Sequence, residues 1–235
     1  MKANNRGGMT RPTVLLFDID GTLLSSSGAG RRAMERSFEL VTGHRDALAF
    51  PLDGMTDRAI VRRGLATVGA DTSDATVDRI IDGYIECLPE ALRAPGDYHV
   101  YPGVEATLEA CARVEGVALG LGTGNIRRGA TLKLGRVGLD SYFAFGGFGC
   151  DHEERPRIIG TGAERGAARL GLTPRECRVV VIGDTPKDVA AAQAVGAECV
   201  GVGTGRYSAA ELVEAGATQA FATLEAEGAR AAILG

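Results

Sequence analysis

The stretch that decides the fold is Val14-Leu15-Leu16-Phe17-Asp18-Ile19-Asp20-Gly21-Thr22-Leu23. Four consecutive apolar residues predict a strand that is buried on both faces of a sheet. The strand ends in two carboxylates one residue apart, followed by a glycine that favours a turn. Like charges this close repel each other, so the pair implies a bound cation or an unusual distribution of protons. Alone, the stretch is equally compatible with a strand that runs into an acidic turn.

The composition is that of a globular protein, and it argues against several classes of function. Of the 235 residues, 45% are apolar and 24% are charged, and the formal net charge is −4. The acidic balance, the absence of a basic block and the few aromatic residues argue against a nucleic-acid partner. The apolar runs are too short to span a bilayer, and five scattered cysteines predict reduced thiols. We therefore predict a cytoplasmic protein without a membrane anchor.

Local patterns predict two domains and a tail. Residues 1–12 are polar and rich in Gly and Asn, as is typical of a flexible tail. Residues 25–97 read as an all-helical insertion, bounded by breaker-rich segments at each end. Its helices are predicted at Arg31–Val41, Thr56–Thr67, Ala75–Cys87 and Leu88–Arg93. The remaining residues, 13–24 and 98–235, form the other domain.

From residue 104 onward, helical and strand patterns alternate along the chain. Further strands are predicted at Val117–Leu121, Tyr142–Phe145, Arg178–Ile182, Cys199–Val202 and Ala220-Phe221. Such alternation is typical of an α/β fold with a parallel sheet and helices on both faces. The predicted architecture is therefore a Rossmann-like three-layer α/β core with a small all-helical domain inserted after the first strand.

Polar residues follow two other predicted strands of this sheet. Thr123-Gly124-Asn125 comes after one strand, and Asp184 follows another, with Asp188 one helical turn further on. Arg155-Pro156 supplies a cation just before a helix. The carboxyl ends of parallel strands share one edge, so we expect these groups to meet Asp18 there. Such a set is costly in a dry core, but it suits Mg²⁺ and a phosphate group.

Taken together, these motifs resemble the four motifs of the haloacid-dehalogenase superfamily. The first three are Asp18-x-Asp20-Gly21-Thr22-Leu23, Thr123-Gly124-Asn125 and Arg155-Pro156, and the fourth is Gly183-Asp184-x-x-x-Asp188. The helical insertion resembles the alpha-helical C1 cap of phosphoglycolate-phosphatase-like members. The match in order, spacing and strand context covers nearly the whole chain.

The resemblance implies a role for each motif residue. Asp18 would be the nucleophile that forms an aspartyl-phosphate, and Asp20 the general acid and base. Mg²⁺ would be held by Asp18, the backbone carbonyl of Asp20, Asp184 and Asp188. The transferring phosphoryl group would be bound by Thr123, Gly124, Asn125 and Arg155.

One motif departs from the family pattern. The third motif usually offers a lysine, whereas Arg155 precedes the matching proline in this chain. Arginine keeps the charge, but it has a planar fork and a longer reach. Lys187, inside the fourth motif, is the alternative source of this cation.

The expected activity is Mg²⁺-dependent hydrolysis of a small phosphorylated metabolite such as phosphoglycolate, by a monomer or homodimer. One alternative is a phosphosugar mutase resembling β-phosphoglucomutase, which shares the Asp18/Asp20 pair. The other is a module that binds a phosphorylated metabolite without catalysis. Within the predicted cap, the side chains that could reach a substrate are Arg31, Arg32, Asp57 and Arg58.

Overall fold

The computed structural model describes residues 11–235, and the first ten residues of the predicted tail lie outside this range. The two remaining tail residues contact the core. Arg11 Nη2 donates a hydrogen bond to the carbonyl of Cys177 at 3.2 Å, and the carbonyl of Pro12 accepts one from Arg178 N at 2.8 Å. Among residues 11–235, no helix combines the length and apolar character needed to cross a membrane.

The core of the molecule is a parallel sheet of six strands in the order β5-β4-β1-β6-β7-β8. The strands are β1 (Thr13–Phe17), β4 (Val117–Gly122), β5 (Gly146–Gly147), β6 (Arg178–Gly183), β7 (Glu198–Val202) and β8 (Gln219–Phe221). In the register of the sheet, Phe17 lies opposite Leu121 on one side and Ile182 on the other. Strands β1, β4 and β6 therefore end side by side, as predicted.

Helices cover both faces of this sheet. They are α4 (Val104–Ala112), α5 (Arg127–Gly135), α6 (Arg155–Arg169), α7 (Pro186–Ala194), α8 (Ala209–Glu214) and α9 (Ala229–Leu234). Successive β1 side chains point to opposite faces. Leu15 and Phe17 pack with α4, α5 and α9, whereas Val14 and Leu16 pack with α6, α7 and α8. The predicted α/β fold with a three-layer core is confirmed.

Three helices between β1 and α4 have a hydrophobic core of their own. They are α1 (Ala29–Thr42), α2 (Asp57–Thr67) and α3 (Asp74–Arg93). Helices α1 and α3 pack closely, since a methyl group on Gly83 would lie 2.5 Å from the hydroxyl oxygen of Ser37. We call residues 26–98 the helical unit. A short antiparallel pair joins it to the sheet domain, formed by β2 (Leu24–Ser25) and β3 (His99–Val100).

Two sequence-based element predictions were wrong. The helices predicted at 75–87 and 88–93 form one helix, α3, with Pro89 in its interior. Buried residues such as Tyr84, Leu88 and Leu92 continue one apolar stripe past the proline, so packing outweighs the lost hydrogen bond.

The strand predicted at Tyr142–Phe145 is also wrong. A 3-10 turn occupies Asp140–Tyr142, and the strand that pairs with β4 is Gly146-Gly147. A methyl group on Gly147 would lie 1.9 Å from the carbonyl oxygen of Ile158 in α6. Close packing of α6 therefore requires glycine at this position of the strand. Strand predictions rely on β-branched and aromatic residues, so they miss a strand made of two glycines.

Candidate active site

The first strand ends at a tight acidic turn. Asp18 is buried, and its backbone N–H continues the sheet by donating to the carbonyl of Ile182 at 2.9 Å. Gly21 has a φ of +86°, and a methyl group there would lie 2.2 Å from Asp184 Oδ2. Only glycine satisfies both conditions, because other residues rarely adopt this φ and no side chain fits beside Asp184.

Asp18 meets two carboxylates that come from the end of β6 and the start of α7. One oxygen from each of Asp18, Asp184 and Asp188 lies within 4.8 Å of the others, and all three residues are buried. Asp184 Oδ1 accepts a hydrogen bond from the hydroxyl of Thr22 at 2.9 Å. Asp188 closes the capping box of α7, because its Oδ2 accepts from the backbone N–H (3.0 Å) and the hydroxyl (2.7 Å) of Thr185.

Arg155 is the buried cation of this cluster. Its Nη2 donates to Asp18 Oδ2 at 2.8 Å, and its Nη1 lies 3.1 Å from Asp188 Oδ1. Burial, and then repulsion from Asp188 and Asp18, raises the pKa of Asp184 well above its ordinary value. One guanidinium thus faces three carboxyl groups, and the imbalance of charge favours a further cation.

The donor atoms of the cluster fit a hard divalent cation. Asp188 Oδ1 is buried, and although Arg155 Nη1 lies 3.1 Å away, no well-directed hydrogen bond reaches this oxygen from residues 11–235. The carboxylate of Asp184 has glycine on two sides, since a methyl group on Gly205 would lie 1.9 Å from its Oδ2. Converging carboxylate oxygens are the ligands that Mg²⁺ prefers. Asp18, Asp184 and Asp188 could therefore hold such an ion.

The loop after β4 places Thr123, Gly124 and Asn125 on the other side of Asp18. Thr123 is fully buried, and its hydroxyl oxygen accepts hydrogen bonds from Asn125 N (3.2 Å) and Nδ2 (3.0 Å). The helical unit lies against this loop. A methyl group on Gly124 would lie 2.5 Å from the carbonyl oxygen of Met55, and Asp57 N donates to the carbonyl of Gly124 at 2.9 Å.

Asp20 is held by three side chains. Its Oδ2 accepts from Lys133 Nζ (2.5 Å) and Asn125 Nδ2 (2.9 Å), and its Oδ1 accepts from the hydroxyl of Ser26 (2.9 Å). Burial raises the pKa of Asp20. The charge of Lys133 and the hydrogen bonds from Lys133, Asn125 and Ser26 outweigh burial and hold this pKa below its ordinary value.

A cavity of about 340 Å³ lies between these groups and the helical unit. The sheet domain contributes Asp18, Asp20, Gly124, Asn125, Lys133, Arg155 and Asp184 to its lining. The facing wall includes Gly30, Met34, Met55, Asp57 and Tyr84 of the helical unit. The carboxylates and cations of the sheet edge therefore share a small, partly enclosed space with glycine, apolar and charged residues of the helical unit.

Of the residues predicted to reach this space from the helical unit, Asp57 and Arg31 line it. Arg31 is engaged within the helical unit, where its guanidinium donates to the carbonyls of Leu48 and Phe50. Arg32 and Arg58 do not line the cavity. Arg32 donates to the carbonyl of Ser27, and Arg58 pairs with Asp78.

The two candidates for the cation of the third motif, Arg155 and Lys187, make different contacts. Arg155 contacts Asp18, whereas Lys187 Nζ donates to the carbonyl of Asp53 at 2.8 Å. Sequence reasoning missed Lys133 and Tyr84. The sequence did contain a signal for Lys133. It is next to Leu134 on the face of α5 that also buries Ala130, and a lysine is rarely buried unless its charge is paired.

Comparison with known families identifies the class of protein. A model described as a haloacid dehalogenase-like hydrolase matches residues 12–196. The chain belongs to this family, and it is an enzyme of the hydrolase class. The resemblance seen in its four motifs is confirmed.

Two curated relatives and a solved structure show what the chain is similar to. It is 28% identical over 198 residues to a phosphoglycolate phosphatase of Pseudomonas putida, and the match covers 82% of this chain and 70% of the relative. It is 29% identical over 208 residues to a phosphoglycolate phosphatase of Xylella fastidiosa, and the match covers 83% of this chain and 82% of the relative. The structure of a hydrolase from Pseudomonas syringae matches with a TM-score of 0.67 at 21% identity, over 91% of this chain and 94% of that one. At this identity, the structural match supports the fold alone.

Proposed function

We propose that the protein is a Mg²⁺-dependent phosphatase that hydrolyses a small phosphorylated metabolite resembling phosphoglycolate. The observation that carries this proposal is the buried Asp18 carboxylate, which lies between a guanidinium and two further carboxylates at the floor of a small cavity. The family and the two phosphoglycolate phosphatases at 28% and 29% identity support it. Cytoplasmic location and assembly as a monomer or homodimer stay predictions.

In the proposed site, Asp18, Asp184, Asp188 and the backbone carbonyl of Asp20 hold Mg²⁺. The ion would neutralise charge on the phosphoryl oxygens and on the clustered carboxylates. Arg155, Thr123 and the backbone of residues 124–125 orient the phosphoryl group. Because phosphoryl transfer requires mainly positioning and charge neutralisation, these roles suit the residues present.

The proposed reaction has two steps. An oxygen of Asp18 attacks phosphorus and the bond to the leaving oxygen breaks, while Asp20 gives that oxygen a proton. Water then attacks the phosphorus of the aspartyl-phosphate, and Asp20 takes its proton. The carboxylate of Asp18 is restored, and inorganic phosphate leaves.

We further propose that residues 25–97 act as a cap over the catalytic domain of residues 13–24 and 98–235. Asp57, Met55 and Tyr84 line the cavity from the cap side. A lid in this position excludes bulk water and limits the size of the substrate. The volume of about 340 Å³ favours a metabolite of few carbon atoms.

The test is a screen for phosphate release from small phosphorylated metabolites, with Mg²⁺ and with a chelator. We expect release that requires Mg²⁺, and a loss of about 10³-fold or more in Asp18→Asn, because the amide is a poor nucleophile. Release that persists in Asp18→Asn contradicts the assignment of the nucleophile. Conversion of a hexose 1-phosphate to its isomer without phosphate release identifies a mutase instead.

A further inference from the structure

Lys133 is a buried lysine that the four motifs do not include. It lies in the last turn of α5, and its side chain is 5% exposed. Its ammonium donates to Asp20 Oδ2 at 2.5 Å and to Asn125 Oδ1 at 2.7 Å. Burying an unpaired ammonium costs several kcal/mol, so these two acceptors are needed to hold the charge there.

The neighbouring helix leaves space for this ammonium. A methyl group on Gly30 of α1 would lie 3.2 Å from Lys133 Nζ and 3.8 Å from the hydroxyl oxygen of Tyr84. A larger residue at position 30 would therefore crowd the lysine. Because the helical unit accommodates Lys133 without accepting a hydrogen bond from it, the contacts of the ammonium belong to the catalytic edge of the sheet.

The contacts of Asp20 distinguish its two carboxyl oxygens. Oδ2 accepts from two N–H donors, Lys133 Nζ and Asn125 Nδ2. Among residues 11–235, Oδ1 accepts a hydrogen bond from the hydroxyl of Ser26 alone. A hydroxyl can rotate and either donate or accept, but an ammonium can only donate. A proton carried by Asp20 therefore fits at Oδ1 and not at Oδ2.

We propose that Lys133 is a positioning residue that, together with Asn125, holds the carboxyl group of Asp20 so that Oδ1 is the oxygen that exchanges protons with substrate and water. This inference rests on the proposed function. Lys133 links Asp20 to Asn125 in the loop that follows β4. The group that transfers the proton and the loop proposed to bind the phosphoryl group are therefore held by one set of contacts. Orientation of this kind is a large part of what an active site contributes to rate.

The test compares two substrates that differ in how much they need a proton from Asp20. p-Nitrophenyl phosphate has a good leaving group, whereas the best alkyl phosphate from the screen needs its leaving oxygen protonated. In Lys133→Met we expect kcat/KM to fall about 10- to 100-fold for the alkyl phosphate and less than about threefold for p-nitrophenyl phosphate. Arg128→Met, which removes an exposed cation from the same helix, should change neither value.

A double mutant separates positioning from direct contact with the substrate. In an Asp20→Ala background, the change Lys133→Met should cause little further loss, because there is no carboxyl group left to orient. A further loss in that background, or equal losses for both substrates in the single mutant, overturns the proposal. If Lys133→Met fails to fold, Lys133→Gln allows the same comparison. A wild-type enzyme that releases phosphate from neither ester contradicts the proposed function instead.

Discussion

Asp57 shows how a single carboxyl group is placed at the cost of stability. It begins α2 and is buried against the loop that follows β4, where its Oδ2 accepts a hydrogen bond from Ile126 N at 2.9 Å. Burial raises its pKa to about 6, and Asp20 and Asp18 add to this effect. The positive charge of Lys133 acts in the opposite direction. The ionised form of Asp57 is therefore less favourable in the folded protein than in the unfolded chain.

This arrangement predicts a pH dependence of stability. Since the folded pKa is the higher one, the contribution of Asp57 is fully present below its ordinary pKa of 3.8 and is lost as the pH rises through about 6. We expect metal-free Asp57→Asn to be more stable than wild type at about pH 7.5, by up to about 3 kcal/mol, and to lose this advantage near pH 4. Denaturant unfolding at both pH values measures the difference. A variant that is destabilised equally at both would show that the hydrogen bond to Ile126 outweighs the charge.

At the residue scale, the sequence predicted the carboxylates that follow strands. Asp18 and Asp184 come after apolar runs, and parallel strands bring such positions to one edge, so their convergence could be predicted from local patterns. Lys133 and Tyr84 lie within helices. Their place in the cavity depends on how α5 and α3 pack, which no local pattern specifies.

Helix α6 illustrates how an element is fitted to the sheet. It has Gly166 on the face toward the sheet, where a methyl group would lie 2.4 Å from Val14 Cγ1 and 2.8 Å from the ring of Phe145. Gly160 lies on the same helix, and a methyl group there would have no neighbour within 4 Å. The helix can therefore approach β1 closely only because a side chain is missing at position 166.

This contrast predicts opposite effects for the same substitution. Gly166→Ala should lower the free energy of unfolding by about 1–3 kcal/mol, because the added methyl group overpacks the core. Gly160→Ala should raise it by about 0.5–1 kcal/mol, because alanine favours the helix. Chemical denaturation of the two variants tests both signs. Similar effects at both positions would mean that α6 shifts to absorb the methyl group.

At the element scale, helices and long strands were predicted well because their apolar periodicity is a property of neighbouring residues. The errors lie where tertiary packing decides. Gly146-Gly147 forms a strand because α6 needs space beside it, and α3 continues through Pro89 because its apolar stripe is buried on both sides of the proline.

On the scale of the whole molecule, charged side chains join the helical unit to the sheet domain. Arg62 of α2 makes a forked contact with Glu153, which precedes α6, with Nε–Oε distances of 3.1 Å. The hydroxyl of Thr56 donates to the carbonyl of Glu153 at 3.0 Å. Both charged side chains are partly exposed, so the pair contributes about 0.2–1 kcal/mol.

Loss of this pair should loosen the contact between α2 and the loop that follows β4. We expect Glu153→Gln to raise the hydrogen-exchange rate of the Asp57 amide, which donates to the carbonyl of Gly124, by about two- to fivefold. Glu109→Gln, which removes the exposed pair between Glu109 of α4 and Arg113, should leave this amide unchanged. Equal exchange in wild type and Glu153→Gln would show that the ion pair does not hold the contact.

The pairing of β2 with β3 determines how the helical unit is inserted into the sheet domain. Leu24 lies opposite Val100, and Ser25 lies opposite His99. The chain therefore leaves the sheet domain and returns to it at one place, through two adjacent antiparallel segments. A short turn can close an antiparallel pair of this kind. Because both ends of the helical unit meet at this pair, a segment of another length could connect the same two strands without changing the path of the sheet domain. The wall that faces Asp18 and Asp20 can in this way change its shape while the sheet edge that carries these residues stays the same.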